Sequence, residues 1–265
     1  MSQIKAVLFD LDGTLLPMDQ DEFTNGYFKL LTAKAAPRGY EPKALADAVW
    51  AGTAAMVRND GSKSNEDAFW AEFARIYGPD ALADKELFDA FYADEFTQAQ
   101  ALCGYAPGAA DSVYRAKELG FRVALATNPI FPRSATLHRI SWAGLQPADF
   151  ELFTCYENSS LCKPNPAYFV DVAARMGLGP EECLMVGNDA TEDLAATKAG
   201  MKVFLITDSL VNKQGVDISA CPQGSWPELI AFLEQHDGDG EEEVGGGIAA
   251  PPTPQVPALR QQERA

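Results

Sequence analysis

Short apolar runs alternate with helical patterns along most of this 265-residue chain, and this alternation restricts the possible folds more than any other feature. The runs are rich in β-branched and large apolar residues, which favour buried strands. Strands separated by helices predict an α/β fold with a parallel sheet and helices on both faces. The predicted strands are Ala6–Phe9, Phe121–Ala126, Cys183–Val186 and Val203–Ile206, with Phe150–Cys155 as a weaker fifth, and the predicted helices are Ala109–Leu119, Arg133–Trp142, Pro166–Met176 and Ala190–Lys198.

Residues 19–103 interrupt the alternation, because they carry helical periodicity almost throughout and no convincing strand. The pattern predicts an all-helical cap domain inserted after the first strand, between the two parts of a core domain, 1–18 and 104–236. Its position next to the end of that strand suggests a lid. The predicted cap helices are Asp21–Ala36, Pro42–Val57, Asn65–Tyr77 and Lys85–Ala101, and their aromatic residues, among them Trp50, Phe69 and Trp70, are spaced as for helix packing.

The composition changes at residue 237, where an acidic and then Gly- and Pro-rich stretch begins, so 237–265 is predicted to be a disordered tail. The whole chain has a formal net charge of −17, which disfavours nucleic acid and anionic membrane surfaces as partners. No apolar stretch approaches the length of a membrane span, and the five cysteines form no CxxC pair. The expected protein is cytoplasmic, a monomer or homodimer, with reduced thiols.

Reactive polar residues follow the predicted strand ends. Asp10 and Asp12 close the first run, Thr127 and Asn128 follow the second, and Lys163 precedes a helix. The segment from Gly187 to Asp193 (Gly-Asn-Asp-Ala-Thr-Glu-Asp) follows another run. Ligands of open parallel sheets bind beyond the carboxyl ends of the strands, so these residues are expected to meet at one site. Two close carboxylates at a buried strand end repel each other, and a Mg²⁺ ion would offset that cost.

These segments, in this order, resemble the four motifs of the haloacid dehalogenase superfamily of hydrolases. The match covers a Rossmann-like core, about 4–16 and 104–235, and the helical insertion is similar to that superfamily's cap. The resemblance implies that Asp10 attacks phosphorus and that Asp12 is the general acid and base. It also implies that Lys163 neutralises charge, that Thr127 and nearby groups bind phosphate, and that Mg²⁺ is held by Asp10, the Asp12 carbonyl and Asp189.

The fourth motif departs from the Gly-Asp-Ser that members of the superfamily often carry, because Asn188 follows Gly187. Either Asp189 is the metal ligand, or Asn188 takes that place with Asp193 in support. A carboxylate binds Mg²⁺ better than an amide, which favours Asp189. Asp193 is then a further ligand or a partner of the ligands.

The predicted activity is Mg²⁺-dependent hydrolysis of a small phosphorylated metabolite through an aspartyl-phosphate. A dehalogenase is disfavoured because it does not use the second aspartate. A phosphomutase of the same superfamily would share all four motifs, and a regulator that only binds a phospho-ligand is an alternative from another class. The substrate is not determined by the sequence. Arg58 and Lys63 flank a turn of the cap and are more typical of surface residues than of a substrate site.

Overall fold

The computed structural model describes residues 3–236, so the predicted tail at 237–265 lies outside the described residues. The described part contains six strands in one parallel sheet, in the order β3-β2-β1-β4-β5-β6. The strands are β1 Ala6–Phe9, β2 Arg122–Leu125, β3 Leu152–Phe153, β4 Cys183–Gly187, β5 Lys202–Ile206 and β6 Gln223–Gly224. The α/β fold is therefore confirmed, and each of the five predicted strands is present. The two-residue strand β6 was not predicted, since it is too short to show a pattern.

Within residues 3–236, eight α-helices surround the sheet or lie in the insertion between β1 and β2. They are α1 Gln20–Ala35, α2 Pro42–Val57, α3 Asn65–Tyr77, α4 Lys85–Ala93, α5 Pro107–Glu118, α6 Arg133–Trp142, α7 Pro166–Arg175 and α8 Trp226–His236. None of these described helices is both long and apolar enough to cross a lipid bilayer. The glycines that follow α5, α6 and α7 have positive φ, as expected for helix C-caps.

The strands bury both faces because alternate side chains point to opposite sides of the sheet. Ala6 and Leu8 of β1 pack with Phe169 and Val172 of α7. Val7 and Phe9 lie on the other face, in a cluster that includes residues of α5, α6 and α8. That second cluster continues into the helical insertion, so the core and the insertion share one apolar interior.

Two predicted helices are wrong in part. Lys85–Ala101 was predicted as one helix, but α4 ends at Ala93 and a 3₁₀ segment runs over Glu95–Leu102. There the carbonyl of Asp94 accepts both the N–H and the hydroxyl of Thr97, which favours the tighter turn. Ala190–Lys198 is replaced by a loop and a 3₁₀ segment, Leu194–Ala199, because the Asp193 carboxylate turns back to Lys163 and to the N–H groups of Asn188 and Asp189.

Besides the shared apolar interior, hydrogen bonds hold the insertion to the core at the ends of the insertion and at the start of α3. The entering and leaving segments of the insertion pair with each other, through a bridge between Met18 and Cys103 and a bond from Gly104 N–H to the Pro17 carbonyl of 2.7 Å. These contacts lie at the ends of the predicted cap, 19–103, whose bounds as a separate domain stay a prediction. The second place is the start of α3, where the fully buried Asn65 amide donates to the Pro129 carbonyl of the core at 3.1 Å.

Candidate active site

The carboxyl ends of β2, β1 and β4 lie side by side, since Phe9 is in register with Leu125 on one side and Val186 on the other. The residues that follow these strands therefore meet. They line one cavity of about 390 Å³, whose walls include Asp10, Asp12, Thr127, Asn128, Asn188, Asp189, Glu192 and Asp193. The sequence-predicted site residues are thus together, with Lys163 directly behind the cavity wall.

Lys163 is fully buried and holds two carboxylates. Its ammonium donates to Asp10 Oδ1 at 2.8 Å and to Asp193 Oδ1 at 2.6 Å. Burial by itself would lower the pKa of Lys163, but the charges of Asp10 and Asp193 outweigh it and raise that pKa. Burial raises the pKa of Asp10 above its usual range, while Lys163 opposes this. Lys163 therefore stays charged, and it orients one oxygen of Asp10 while the other faces away from it.

Asp193 acts inside the loop that follows β4. Its Oδ2 accepts the N–H groups of Asn188 and Asp189, each at 3.0 Å, and its Oδ1 accepts from Lys163. The carboxylate lies so close to Gly187 that any Cβ at that position would overlap it. Both oxygens of Asp193 thus have protein partners, an arrangement typical of a residue that positions the loop and Lys163.

Thr14 connects Asp10 with Asn188. Its hydroxyl lies 3.0 Å from Asp10 Oδ2 and 3.0 Å from Asn188 Oδ1, but its one hydrogen can serve a single acceptor. The Asn188 amide nitrogen donates to the Ser209 carbonyl at 2.9 Å, which turns Oδ1 toward Thr14. Gly13, at φ +83°, permits this approach, because a Cβ there would lie 2.6 Å from Asn188 Nδ2. This corner of the cavity, around the Thr14 hydroxyl, therefore contains more hydrogen-bond acceptors than donors.

Asp189 lines the same cavity but is engaged by its own loop. Its Oδ1 accepts the N–H groups of Thr191 at 2.7 Å and Glu192 at 2.9 Å. Within residues 3–236, no group of three or more Asp, Glu, His and Cys side chains is placed to hold a metal ion by itself. A divalent cation at this site would therefore need amide, carbonyl or water oxygens besides the carboxylates.

Asp12 forms an ion pair that sequence reasoning missed. Its Oδ2 accepts from Arg139 of α6, whose side chain has no exposed surface and stacks 4.4 Å from the centre of the Phe131 ring. The other oxygen, Oδ1, is buried and makes no hydrogen bond to the described residues. A signal was available in the sequence, because Arg139 lies one helical turn from Ala135, on the buried face of α6. A charged residue there needs a buried partner.

Thr127 and Asn128 extend the cavity wall after β2. Thr127 is buried, and its carbonyl accepts the hydroxyls of Thr154 at 2.7 Å and Tyr168 at 2.9 Å, which holds this segment in place. Asn128 donates its amide to Glu192 at 3.1 Å, and its Oδ1 has no partner among the described residues. Sequence reasoning gave no role to Glu192. Burial raises the pKa of the Glu192 carboxyl to about 7.

The cavity is strongly acidic. Seven carboxylate side chains line it, those of Asp10, Asp12, Asp19, Asp21, Asp189, Glu192 and Asp193, and Lys213 is its one lining cation among the described residues. Lys163 and Arg139 add positive charge behind the wall, where each is already paired. A bound phosphate dianion would need further positive charge, and Mg²⁺ is a cation that such oxygen-rich surroundings suit.

Comparison with known proteins agrees with this geometry. A family model described as a haloacid dehalogenase-like hydrolase matches residues 4–200, well over half of the chain. A glyceraldehyde 3-phosphate phosphatase of Methanothermobacter thermautotrophicus is 42% identical over 65 residues, which cover 22% of this chain and only 29% of that relative. A phosphoglycolate phosphatase of Nitrosococcus oceani is 25% identical over 229 residues, or 82% of this chain and 89% of that one.

Among solved structures, CbbY from Rhodobacter sphaeroides, crystallised with phosphate, superposes with a TM-score of 0.56 at 18% identity, covering 87% of this chain and 99% of that one. At this identity the likeness supports the fold alone. The family match extends across β1, the insertion, β2 and β4, and so includes each strand end that carries a site residue. The chain belongs to the haloacid dehalogenase-like hydrolases.

Proposed function

We propose that the protein hydrolyses the phosphate monoester of a small metabolite through an aspartyl-phosphate on Asp10. The observation that carries this proposal is the buried Lys163 ammonium, 2.8 Å from Asp10 Oδ1, at the end of a strand that opens into an acidic cavity. A carboxylate held in this way is available as a nucleophile toward phosphorus. The names of the relatives, which are phosphatases of small phosphorylated compounds, support the same substrate class.

The proposed reaction has two steps. An oxygen of Asp10 attacks phosphorus, the bond from phosphorus to the ester oxygen breaks, and protonated Asp12 gives its proton to the leaving alcohol. The Asp12 carboxylate then takes a proton from water, which attacks the aspartyl-phosphate and releases phosphate and free Asp10. Lys163 and Thr127 remain in place throughout, where they offset phosphate charge and line its binding position.

The chain's residues fit a Mg²⁺ ion next to Asp10. The acceptor-rich corner around the Thr14 hydroxyl and the excess of carboxylates in the cavity are what a hard cation would satisfy. We propose that Asp10, the backbone carbonyl of Asp12 and either Asn188 or Asp189 would hold it. Asn188 shares a hydroxyl with Asp10, whereas both oxygens of Asp193 already accept from protein groups, which favours Asp193 as a partner of the ligands. The ion would supply positive charge for the phosphate oxygens.

Arg139 has a place in this mechanism as a positioning residue. From α6 it fixes one oxygen of Asp12, so that the other oxygen is left for the proton transfer. In the hydrolysis step Asp12 acts as the base that takes a proton from water.

The test is Asp10→Asn, with phosphate release measured over a panel of phosphorylated metabolites. The wild type should release phosphate, and the variant should fold but lose at least about 10³-fold in kcat, since the nucleophile is gone. Asp171→Asn is the matched control, because Asp171 lies on α7 with its side chain 44% exposed, outside the cavity. Full activity in Asp10→Asn would refute the mechanism.

The same panel separates the alternatives. A phosphomutase would yield an isomerised sugar phosphate instead of free phosphate. A regulator that only binds its ligand would show no turnover in either protein and unchanged affinity in the variant. We also propose a cytoplasmic monomer or homodimer with core 1–18 and 104–236 and a helical cap, 19–103. Fractionation, sedimentation and limited proteolysis test these three points.

A further inference from the structure

A second cavity lies between the helical insertion and the end of the sheet, with a volume of about 160 Å³. Its walls are mostly aromatic and come from α1, α2, α3, α4 and the loops near residues 131 and 156. Trp50, Phe69 and Trp70 belong to this wall, although their spacing alone suggested only helix packing. A dry cavity of about 150 Å³ can hold a benzene ring, so this one suits a ring-sized apolar group.

This apolar cavity meets the acidic cavity at Asp12. Asp12, Met18, Gln20, Ile130 and Phe131 line both. In the proposed mechanism Asp12 protonates the leaving oxygen, so the leaving alcohol must extend away from phosphorus past Asp12. The apolar cavity is the space that begins there.

The charge on the wall of the apolar cavity restricts which leaving groups can bind there. Among the described residues that line the apolar cavity, Asp12 is the one charged side chain, and its charge is negative. The Tyr27 and Tyr92 hydroxyls bond to each other at 2.8 Å, and Thr53 donates to the Val49 carbonyl at 3.0 Å. A second phosphate or a carboxylate on the leaving group would find no counter-charge in this wall.

We propose that the apolar cavity is the leaving-group site and that the preferred substrates are phosphate monoesters of apolar, ring-bearing alcohols. This inference rests on the proposed phosphatase activity. Burial of a phenyl-sized group in such a site improves binding by a factor of about 10 to 100. The preference should therefore appear in kcat/KM, when the leaving alcohols compared are similar in basicity.

The first experiment compares phenethyl phosphate with glycerol 3-phosphate and 2-phosphoglycolate, all of which are primary alkyl esters. We expect kcat/KM for phenethyl phosphate to be at least about 10-fold higher than for either of the others. Equal or higher values for glycerol 3-phosphate or 2-phosphoglycolate would overturn the inference and leave the phosphatase activity intact. No phosphate release from any ester would refute the phosphatase activity, and the inference with it.

The second experiment places a cation in the apolar cavity with Thr53→Arg. Hydrolysis of phenethyl phosphate should fall about 10-fold or more, and that of 2-phosphoglycolate should rise. The matched control, Thr97→Arg, adds the same charge at an exposed position of the insertion outside both cavities and should leave the ratio unchanged. Thr53→Phe adds volume without a buried charge, so it replaces Thr53→Arg if that variant does not fold. An unchanged substrate ratio in a folded Thr53 variant would refute the assignment.

Discussion

Replacement of Lys163 by methionine should both destabilise the protein and abolish its activity. Methionine has a similar length but no charge, so the change removes the ammonium while it keeps most of the volume. Lys163 has no exposed side-chain surface, and its partners Asp10 and Asp193 are 10% and 1% exposed. The variant therefore leaves two carboxylates together at a buried site with no cation between them.

The magnitude follows from the two contact distances. At N–O separations of 2.8 and 2.6 Å, each attraction is about 6 kcal/mol at an effective dielectric constant of about 20. Desolvation of the three charges offsets much of this total, and the orphaned carboxylates can bind protons. Removal of one partner from a buried ion pair typically costs about 3 to 5 kcal/mol in the free energy of unfolding. For a domain of this size that corresponds to a fall in Tm of roughly 6 to 20 °C.

The assay is denaturation by urea or heat, with phosphate release measured in parallel. Lys117→Met is the matched control, because Lys117 pairs with Asp149 at 3.1 Å while its own side chain is 39% exposed. Such a surface pair contributes about 1 kcal/mol or less. The double variant Lys163→Met with Asp193→Asn should regain part of the lost stability, since one of the two orphaned charges is removed. If Lys163→Met costs no more than Lys117→Met, the buried ion triad is not a stabilising element and the reasoning fails.

Three further predictions concern other contacts of the site. Arg139→Met should lower kcat about 10- to 100-fold with KM little changed, because Asp12 loses its orientation while substrate contacts remain. Asn65→Ala should lower the free energy of unfolding by about 1 to 3 kcal/mol, because it leaves the buried Pro129 carbonyl without its donor. Chelation with EDTA should abolish phosphate release, and added Mg²⁺ should restore it, because the acidic cavity needs a cation to bind phosphate.

Each of these has a control and a contrary result. The control Arg115→Met changes a surface arginine that is 38% exposed, and it should leave kcat unchanged. If Arg139→Met raises KM by as large a factor as it is expected to lower kcat, Arg139 has a role in substrate binding instead. Asn25→Ala, at an exposed position of α1, should change stability by less than about 0.5 kcal/mol. An Asn65→Ala variant as stable as Asn25→Ala would show that this contact does not anchor α3. Full activity in EDTA would contradict the proposed metal.

The elements that were predicted correctly from the sequence are those whose structure is determined by residues close together in the chain. Helices α2, α3 and α6 have the predicted bounds, because the apolar periodicity that predicts them lies within the elements themselves. Ser64 accepts the Asp67 N–H at 3.0 Å at the start of α3, a contact typical of a serine at a helix N-cap. The two wrong helix predictions fall where side chains bind nearby backbone groups or distant charges. The bond from the Thr97 hydroxyl to the Asp94 carbonyl and the contact of Asp193 with Lys163 depend on rotamers and packing that a residue pattern does not contain.

The same distinction applies to the candidate site. Sequence by itself determined that carboxylates, a threonine and an amide follow the ends of predicted strands, and the parallel pairing of β2, β1 and β4 then brings them to one edge. Only the tertiary structure decided which charges meet across long separations in the chain, as Asp12 does with Arg139 and Lys163 with Asp193. It also placed Asn188 beside Asp10 and opened the apolar cavity at Asp12. The physical reason is that periodicity encodes which face of an element is buried, whereas ion pairs and cavities depend on how separate elements pack.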